Sequence, residues 1–196
     1  MKINKQVQKQ FLQQIKDVAM SEGFSINNGS IYKVIGDNFV HADYLIVESN
    51  KIVFRIYAKK YSYDKIFWTI LKMDENLQKK DYLRATGAFR APSVLIKNGE
   101  YEFSENIFEL AAIFLGELKT EINRFLAEQE INKYIITCEN IQDNMILKCL
   151  AYIDAAEPSK ALQIARKELD KGNTGRFENE GKGFFEWLLE NNMVIS

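Results

Sequence analysis

Residues 51–59 alternate without a break: Ile52, Phe54, Ile56 and Ala58 fall on one side, and Lys51, Val53, Arg55, Tyr57 and Lys59 on the other. A period of two over that length describes a half-buried antiparallel strand. Such a strand commits the chain to a sheet with apolar cover on one face. Two more alternating runs precede it, about Ser30–Gly36 and Phe39–Glu48. The breaks at Asp37-Asn38 and Ser49-Asn50 predict two-residue hairpin turns. That register places Glu48 across from Lys51, an opposite-charge pair, and Tyr32 across from Asp43.

Helical periodicity brackets the strands. Val7, Phe11, Ile15 and Val18 recur on one face of a helix from about Lys5 to Ser21, which Gly23 stops in the left-handed region while Phe24 folds back onto its last turn. A helix from about Asp64 to Leu77, capped by Ser62 or Asp64, follows the strands, and Leu83-Arg84-Ala85 fits a short helical turn. Val94–Phe103 then carries Asn98-Gly99 between two alternating runs. This spacing predicts a hairpin with Val94, Ile96, Tyr101 and Phe103 on one face and Lys97 opposite Glu100.

Asn106 and Glu109 fit a capping box for a long helix to about Glu128, whose middle, Leu110–Leu115, is apolar nearly all round and predicts a central buried helix. Further helices are expected near Ile131–Cys138, Gln142–Ala155, Pro158–Lys171 and Lys182–Asn191, with a loop at Gly172–Gly183. Ala151, Ala161 and Ala165 suit close approach within a helix hairpin, similar to a single tetratricopeptide unit, although one unit makes no solenoid. The class expected is α+β: an N-terminal helix on an antiparallel sheet of about five strands, then a mostly helical C-terminal part. The linear organisation reads as a sheet region over 1–104 and a helical region over 105–196, packed as one unit.

The helix ending in Gly23-Phe24 and the meander through Tyr32, Tyr44 and Phe54 resemble the opening of several small uncharacterised bacterial domain families, over residues 5–75. The resemblance implies no activity and no site.

Charge is distributed unevenly along the chain. Residues 1–90 carry 15 Lys/Arg against 9 Asp/Glu, and residues 91–196 carry 11 against 18. That asymmetry bears on partners rather than on fold. Cys138 and Cys149 lack the spacing of a zinc or redox pair and read as buried free thiols. No apolar run reaches the ~20 residues of a membrane span, and the start holds no secretory core, so a cytoplasmic location is expected. Asn28-Gly29-Ser30 then marks a turn rather than a glycosylation site.

Few residues suggest chemistry. His41 is the only histidine. With Asp43 and Tyr32, on the register above, it forms a polar group on the helix-covered face that fits either a general acid–base cluster or a buried hydrogen-bond network. A one-residue slip would move all three to the other face. The opposite face displays Lys33, Tyr44, Arg55, Tyr57 and Lys59, followed by Lys60, Tyr61 and Tyr63. Basic groups interleaved with aromatics can follow phosphates and stack bases. The same face carries Ile31, Ile35, Val40, Ile46 and Val53, which favour cover by the acidic helices, and a pI near 6.0 falls short of a nucleic-acid module.

Gly175 and Gly181-Lys182-Gly183 depart from a phosphate loop in both spacing and hydroxyl. Phe184–Leu189 reads as a docking helix, and Glu117, Glu121, Glu128 and Glu130 as a solvated or partner-facing acidic side. Neither a metal nor a cofactor is expected. The leading expectation is a cytoplasmic, bacterial, non-catalytic protein-binding protein, an immunity- or antitoxin-like inhibitor being one example. Single-stranded nucleic-acid binding through the basic and aromatic face is the alternative, and an enzyme using His41 and Asp43 the second.

Overall fold

A computed structural model describes residues 5–47, 50–103, 106–138, 141 and 144–191. The fold is α+β: an N-terminal helix, a five-stranded antiparallel sheet and a mostly helical C-terminal part. The chain forms two compact units, each assembled from two separate stretches: residues 1–58 with 94–128, and 59–93 with 129–196. Sorted this way the charge asymmetry disappears. The first unit has 10 Lys/Arg against 12 Asp/Glu and the second 16 against 15.

The first unit holds α1 (Lys5–Ser21), β1 (Ser25–Asn27), β2 (Ser30–Ile35), β3 (Asn38–Val47), β4 (Lys51–Lys60, whose last two residues belong to the second unit), β5 (Val94–Glu102) and α4 (Ile107–Glu128), the sheet running in sequence order. α1 ends as its sequence predicts. Gly23 takes φ +74° and the Phe24 N–H reaches back to the Ala19 carbonyl at 2.9 Å. Asn28 and Gly29, with φ of 45° and 76°, make the two-residue turn between β1 and β2.

Three sequence expectations need correction here. The β2–β3 turn is centred on Gly36-Asp37, not Asp37-Asn38, so Tyr32 pairs with His41 and Ser30 with Asp43. Gly36, with φ +59°, supplies the positive angle a hairpin turn requires at that position. The second correction concerns the connection from β3 to β4. Among the described residues β3 runs to Val47 and β4 from Lys51, and the ring contacts put odd-numbered residues of β3 on the same face as odd-numbered residues of β4, where a two-residue turn at Ser49-Asn50 would pair odd with even. The Glu48–Lys51 pair lies outside the described residues. This slip exchanges the faces of β2 and β3 relative to β4. Tyr44 and Phe54 both meet Phe114 of α4, whereas His41 stacks on Tyr57.

The third correction is the Asn98-Gly99 hairpin, which does not form. β5 is one continuous strand, paired along β4 from Lys51↔Glu102 to Ala58↔Val94, with a bulge at Ile96. A hairpin turn would need positive φ at these positions, and neither residue has it. Gly99 instead lies under the Phe54 ring, where an added Cβ would sit 2.7 Å from Phe54 Cζ. Lys51, rather than Lys97, holds Glu100, at 2.9 Å.

α1 and α4 cover the face carrying Ile31, Val40, Ala42, Ile52, Phe54 and Ile56, all buried. α4 begins with its Asn106 cap accepting the Glu109 N–H at 3.2 Å. Its middle is not buried all round, since Ala112 and Ile113 are exposed, because the helix lies on one sheet face and turns its other side outward.

The second unit contains α2 (Ser62–Ile70), a 3-10 turn (Asp74–Gln78), α3 (Tyr82–Thr86), α5 (Ile131–Thr137), α6 (Met145–Asp154), α7 (Pro158–Asp170), the small hairpin β6–β7 (Glu178–Asn179 and Lys182–Gly183) and α8 (Phe184–Glu190). α6 packs against α2, α5 and α7, with Ala151, Ala161 and Ala165 buried as the helix-hairpin pattern requires. The Gly172–Gly183 loop contains the β6–β7 hairpin, and α8 buries Phe184, Phe185, Trp187 and Leu188. Neither Ser62 nor Asp64 caps α2. The Ser62 hydroxyl donates to Asp154, and Asp64 turns inward.

Candidate functional site: the sheet face without helices

Because α1 and α4 share one face of the sheet, the other face is left without a helix of its own unit. The corrected register determines what it displays. From β2 come Ser30, Tyr32 and Val34; from β3 Phe39, His41, Asp43, Leu45 and Val47; from β4 Lys51, Val53, Arg55 and Tyr57. β5 adds Glu102, Glu100 and Asn98 across from Lys51, Val53 and Arg55, and beyond the Ile96 bulge Leu95 lies across from Tyr57.

Tyr32, His41 and Asp43 therefore do come together, on the face opposite to the one expected. Aromatic stacking occupies the histidine: its ring lies 4.8 Å from Tyr57 and 5.9 Å from Phe39, with Tyr32 a further 5.8 Å from Phe39. His41 is 2% exposed. Stepping two residues along both antiparallel strands from the His41–Tyr57 stack sets Asp43 beside Arg55, then Leu45 beside Val53.

The five basic and aromatic residues do not share a surface. Arg55 and Tyr57 stand on the helix-free face, Arg55 exposed and Tyr57 half-buried. Lys33 and Tyr44 project from the other face. The Lys33 ammonium donates to the Glu22 carbonyl at 2.9 Å and sits over the Phe24 ring, while Tyr44 packs its ring edge-on to Phe114. Burial there pushes the Tyr44 hydroxyl up to about 12.

Lys59 is fully buried in the second unit. Its ammonium donates to the Asp64 carboxylate at 2.9 Å and to the carbonyls of Arg84 at 3.0 Å and Ala91 at 3.1 Å. Desolvation lowers its pKa, and the adjoining Asp64 carboxylate draws it partly back. Asp64 also accepts the Ala91 N–H at 2.9 Å and faces Arg84 at 3.4 Å. The Arg84 guanidinium lies 3.9 Å over the Tyr61 ring and bonds Asp81 at 3.1 Å. The sequence offered Asp64 only as a helix cap and Arg84 only within a short helical turn, and it gave no role to Asp81. Lys59 and Asp64 stand at a spacing of five across a strand-to-helix junction, which no helix or strand period marks.

The four glutamates also differ from a uniform solvated side. Glu117 and Glu121 bind Lys97 at 2.7 and 3.0 Å, whereas Glu130 caps α5 through the Asn132 and Lys133 N–H groups and pairs with Lys60 at 3.1 Å. Among the described residues no group of three or more His, Cys, Asp or Glu side chains is placed to hold a metal ion, and no helix is long and apolar enough to cross a membrane.

What remains on the helix-free face is mixed in character. Leu45 is 63% exposed, Leu95 48% and Val34 40%, in company with Arg55 and Tyr57. Three carboxylates, Asp43, Glu100 and Glu102, share the face with two cations, Lys51 and Arg55. Leucine side chains standing in water beside an arginine and a tyrosine compose a surface suited to being covered, with charges at its margins. No protein-family model matches the chain, and neither a curated protein nor a solved structure matches it.

Proposed function

We propose that this chain is a non-catalytic protein-binding protein of the bacterial cytoplasm, whose helix-free sheet face docks a partner; an immunity- or antitoxin-like inhibitor is one form of such a protein. The observation that supports this most is the exposure of Leu45 and Leu95 together with Arg55 on the face that α1 and α4 do not cover, where Ser30, Phe39 and His41 are buried and these three are not. Arg and Tyr with exposed aliphatics are the residue types on which binding energy concentrates. The surrounding carboxylates weigh against a polyanion and for a protein partner that brings positive charge. Tyr32, His41 and Asp43 lie side by side, but the His41 ring is buried and stacked on Tyr57 rather than presented to a substrate.

The test is capture from a lysate at low salt by the native chain, repeated with Leu45→Asp and Arg55→Glu. Both sites are exposed, so both variants should keep native circular dichroism while losing the captured partner. Capture unaffected by either substitution would rule the face out. Salt-sensitive retention of single-stranded oligonucleotide, weakened by Arg55→Ala and Tyr57→Ala, would establish the nucleic-acid reading in its place.

A further inference from the structure

We propose that the outer edge of β5 receives an extended, basic segment of a partner protein as a sixth strand. This rests on the reading of the adjoining face as a protein-docking surface and specifies how the partner is held.

β5 closes one side of the sheet, and among the described residues no strand pairs with its far side. An edge strand offers a row of backbone N–H and C=O groups to any extended chain, and proteins usually blunt such edges with lysines, bulges or a covering element. Here the lysine and the bulge are displaced. Lys97, the strand's one lysine, is drawn over the helix-covered face to Glu117 and Glu121 of α4. The bulge at Ile96 sits near the start of the strand, so residues 97–102 pair with β4 in regular register.

The side chains at this edge define the occupant. Glu100 and Glu102 project from the helix-free face, both exposed, with Lys51 of β4 on their inner side. Directly cross-strand opposite charges stabilise a pairing and like charges oppose it. A lysine or arginine on an incoming strand would complete a row of alternating charge, and an apolar residue opposite Leu95 would cover a side chain that is 48% exposed. A second copy of this chain is disfavoured. Two β5 strands overlapping over 97–102 bring Glu100 of each copy opposite or diagonal to its counterpart on the same face.

The probe is a nine-residue peptide of alternating lysine and valine, matched to the length of β5. It is titrated against the whole chain by fluorescence anisotropy and compared with a glutamate–valine peptide and with the lysine–valine peptide interrupted by a central proline. The lysine–valine peptide should bind about tenfold or more tighter than either control, and Glu100→Lys with Glu102→Lys should reverse the charge preference. Hydrogen exchange should slow at the amides of β5. Equal binding of the proline peptide, no binding of the lysine–valine peptide, or protection arising away from β5 would overturn the proposal. If these fail while Leu45→Asp still abolishes partner capture, the edge is excluded and the face stands. If capture survives Leu45→Asp and Arg55→Glu while the peptides bind as stated, the edge stands alone.

Discussion

Replacing Lys59 with methionine isolates the energetics of the buried cluster at the start of the second unit. Methionine keeps the apolar stem of the side chain but removes three hydrogen bonds at once, to Asp64 and to the carbonyls of Arg84 and Ala91. Asp64 would then remain a fully buried carboxylate with the Ala91 N–H at 2.9 Å and the Arg84 guanidinium at 3.4 Å as its remaining support. Stranding one member of a buried ion pair costs about 3–5 kcal/mol, since the desolvation of the other is no longer offset. Both tryptophans, Trp68 and Trp187, are buried in the second unit, so urea unfolding followed by tryptophan fluorescence reads that unit directly. The midpoint should fall by at least ~1 M for the Lys59→Met variant. Adding Asp64→Asn should restore about 1–2 kcal/mol by removing the stranded charge while keeping an acceptor for Ala91. A Lys59→Met cost below ~1 kcal/mol, or an Asp64→Asn change that lowers the double variant by its full single-variant cost, would refute the view of Lys59 and Asp64 as one coupled element.

Two further outcomes follow from local geometry. Gly99→Val puts a branched side chain into the buried Phe54 ring, which is itself wedged between Tyr101 and Phe114, and should cost about 1–3 kcal/mol in thermal unfolding monitored by circular dichroism, with Gly99→Ala milder; a neutral valine would mean that the Phe54 contact is not held. For Glu130, burial works to raise the pKa, but the Lys133 N–H, the Lys60 ammonium and the Asn132 N–H together hold it below the ordinary range. A depressed folded pKa stabilises the fold above the unfolded value and loses that contribution as pH falls through the folded one. The stability gap between the native chain and Glu130→Gln should therefore stay constant above about pH 4.5 and narrow in acid, and a gap independent of pH would contradict the assigned contacts.

How much of this could be read from the chain is clearest in β5. Val94 and Ile96 are apolar at even positions and Tyr101 and Phe103 at odd ones, so the pattern changes phase between them. Either a two-residue hairpin or a one-residue bulge accounts for a phase change of that kind. Asn98-Gly99 made the hairpin the natural choice. Yet the ten residues of β4 offer a partner for the whole run, and Phe54 makes use of the missing side chain at Gly99. The same dipeptide at Asn28-Gly29 does form the turn, with positive φ at both residues and Asn27 paired to Ser30 across it. The helices α1, α4 and α7 were legible nearly to the residue, because helical periodicity, caps and Gly23 are all local signals, whereas the helix expected over Asp64–Leu77 is α2, Ser62–Ile70, followed by a separate 3-10 turn. Sheet faces were not legible. Face assignment depends on register, and a one-residue difference in the register of β3 against β4 was enough to reverse it.

The site suffered from the same sensitivity, and its correction changes the argument about partners. A surface that interleaves Lys33, Tyr44, Arg55, Tyr57 and Lys59 speaks for phosphate and base recognition. Three of those residues hold the fold together instead: Lys33 at the end of α1, Tyr44 under α4 and Lys59 with Asp64. The face that remains has lost most of its positive charge and gained Asp43, Glu100 and Glu102. Phosphate contacts supply most of the affinity of nucleic-acid binders, so a face with more carboxylates than cations has little to offer a polyanion. Exposed aliphatics beside an arginine keep their value toward a protein, where burial is the driving force and charge selects the partner. The chemistry on this surface therefore fits the proposed partner, one that is itself basic and extended enough to lie along the outer edge of β5.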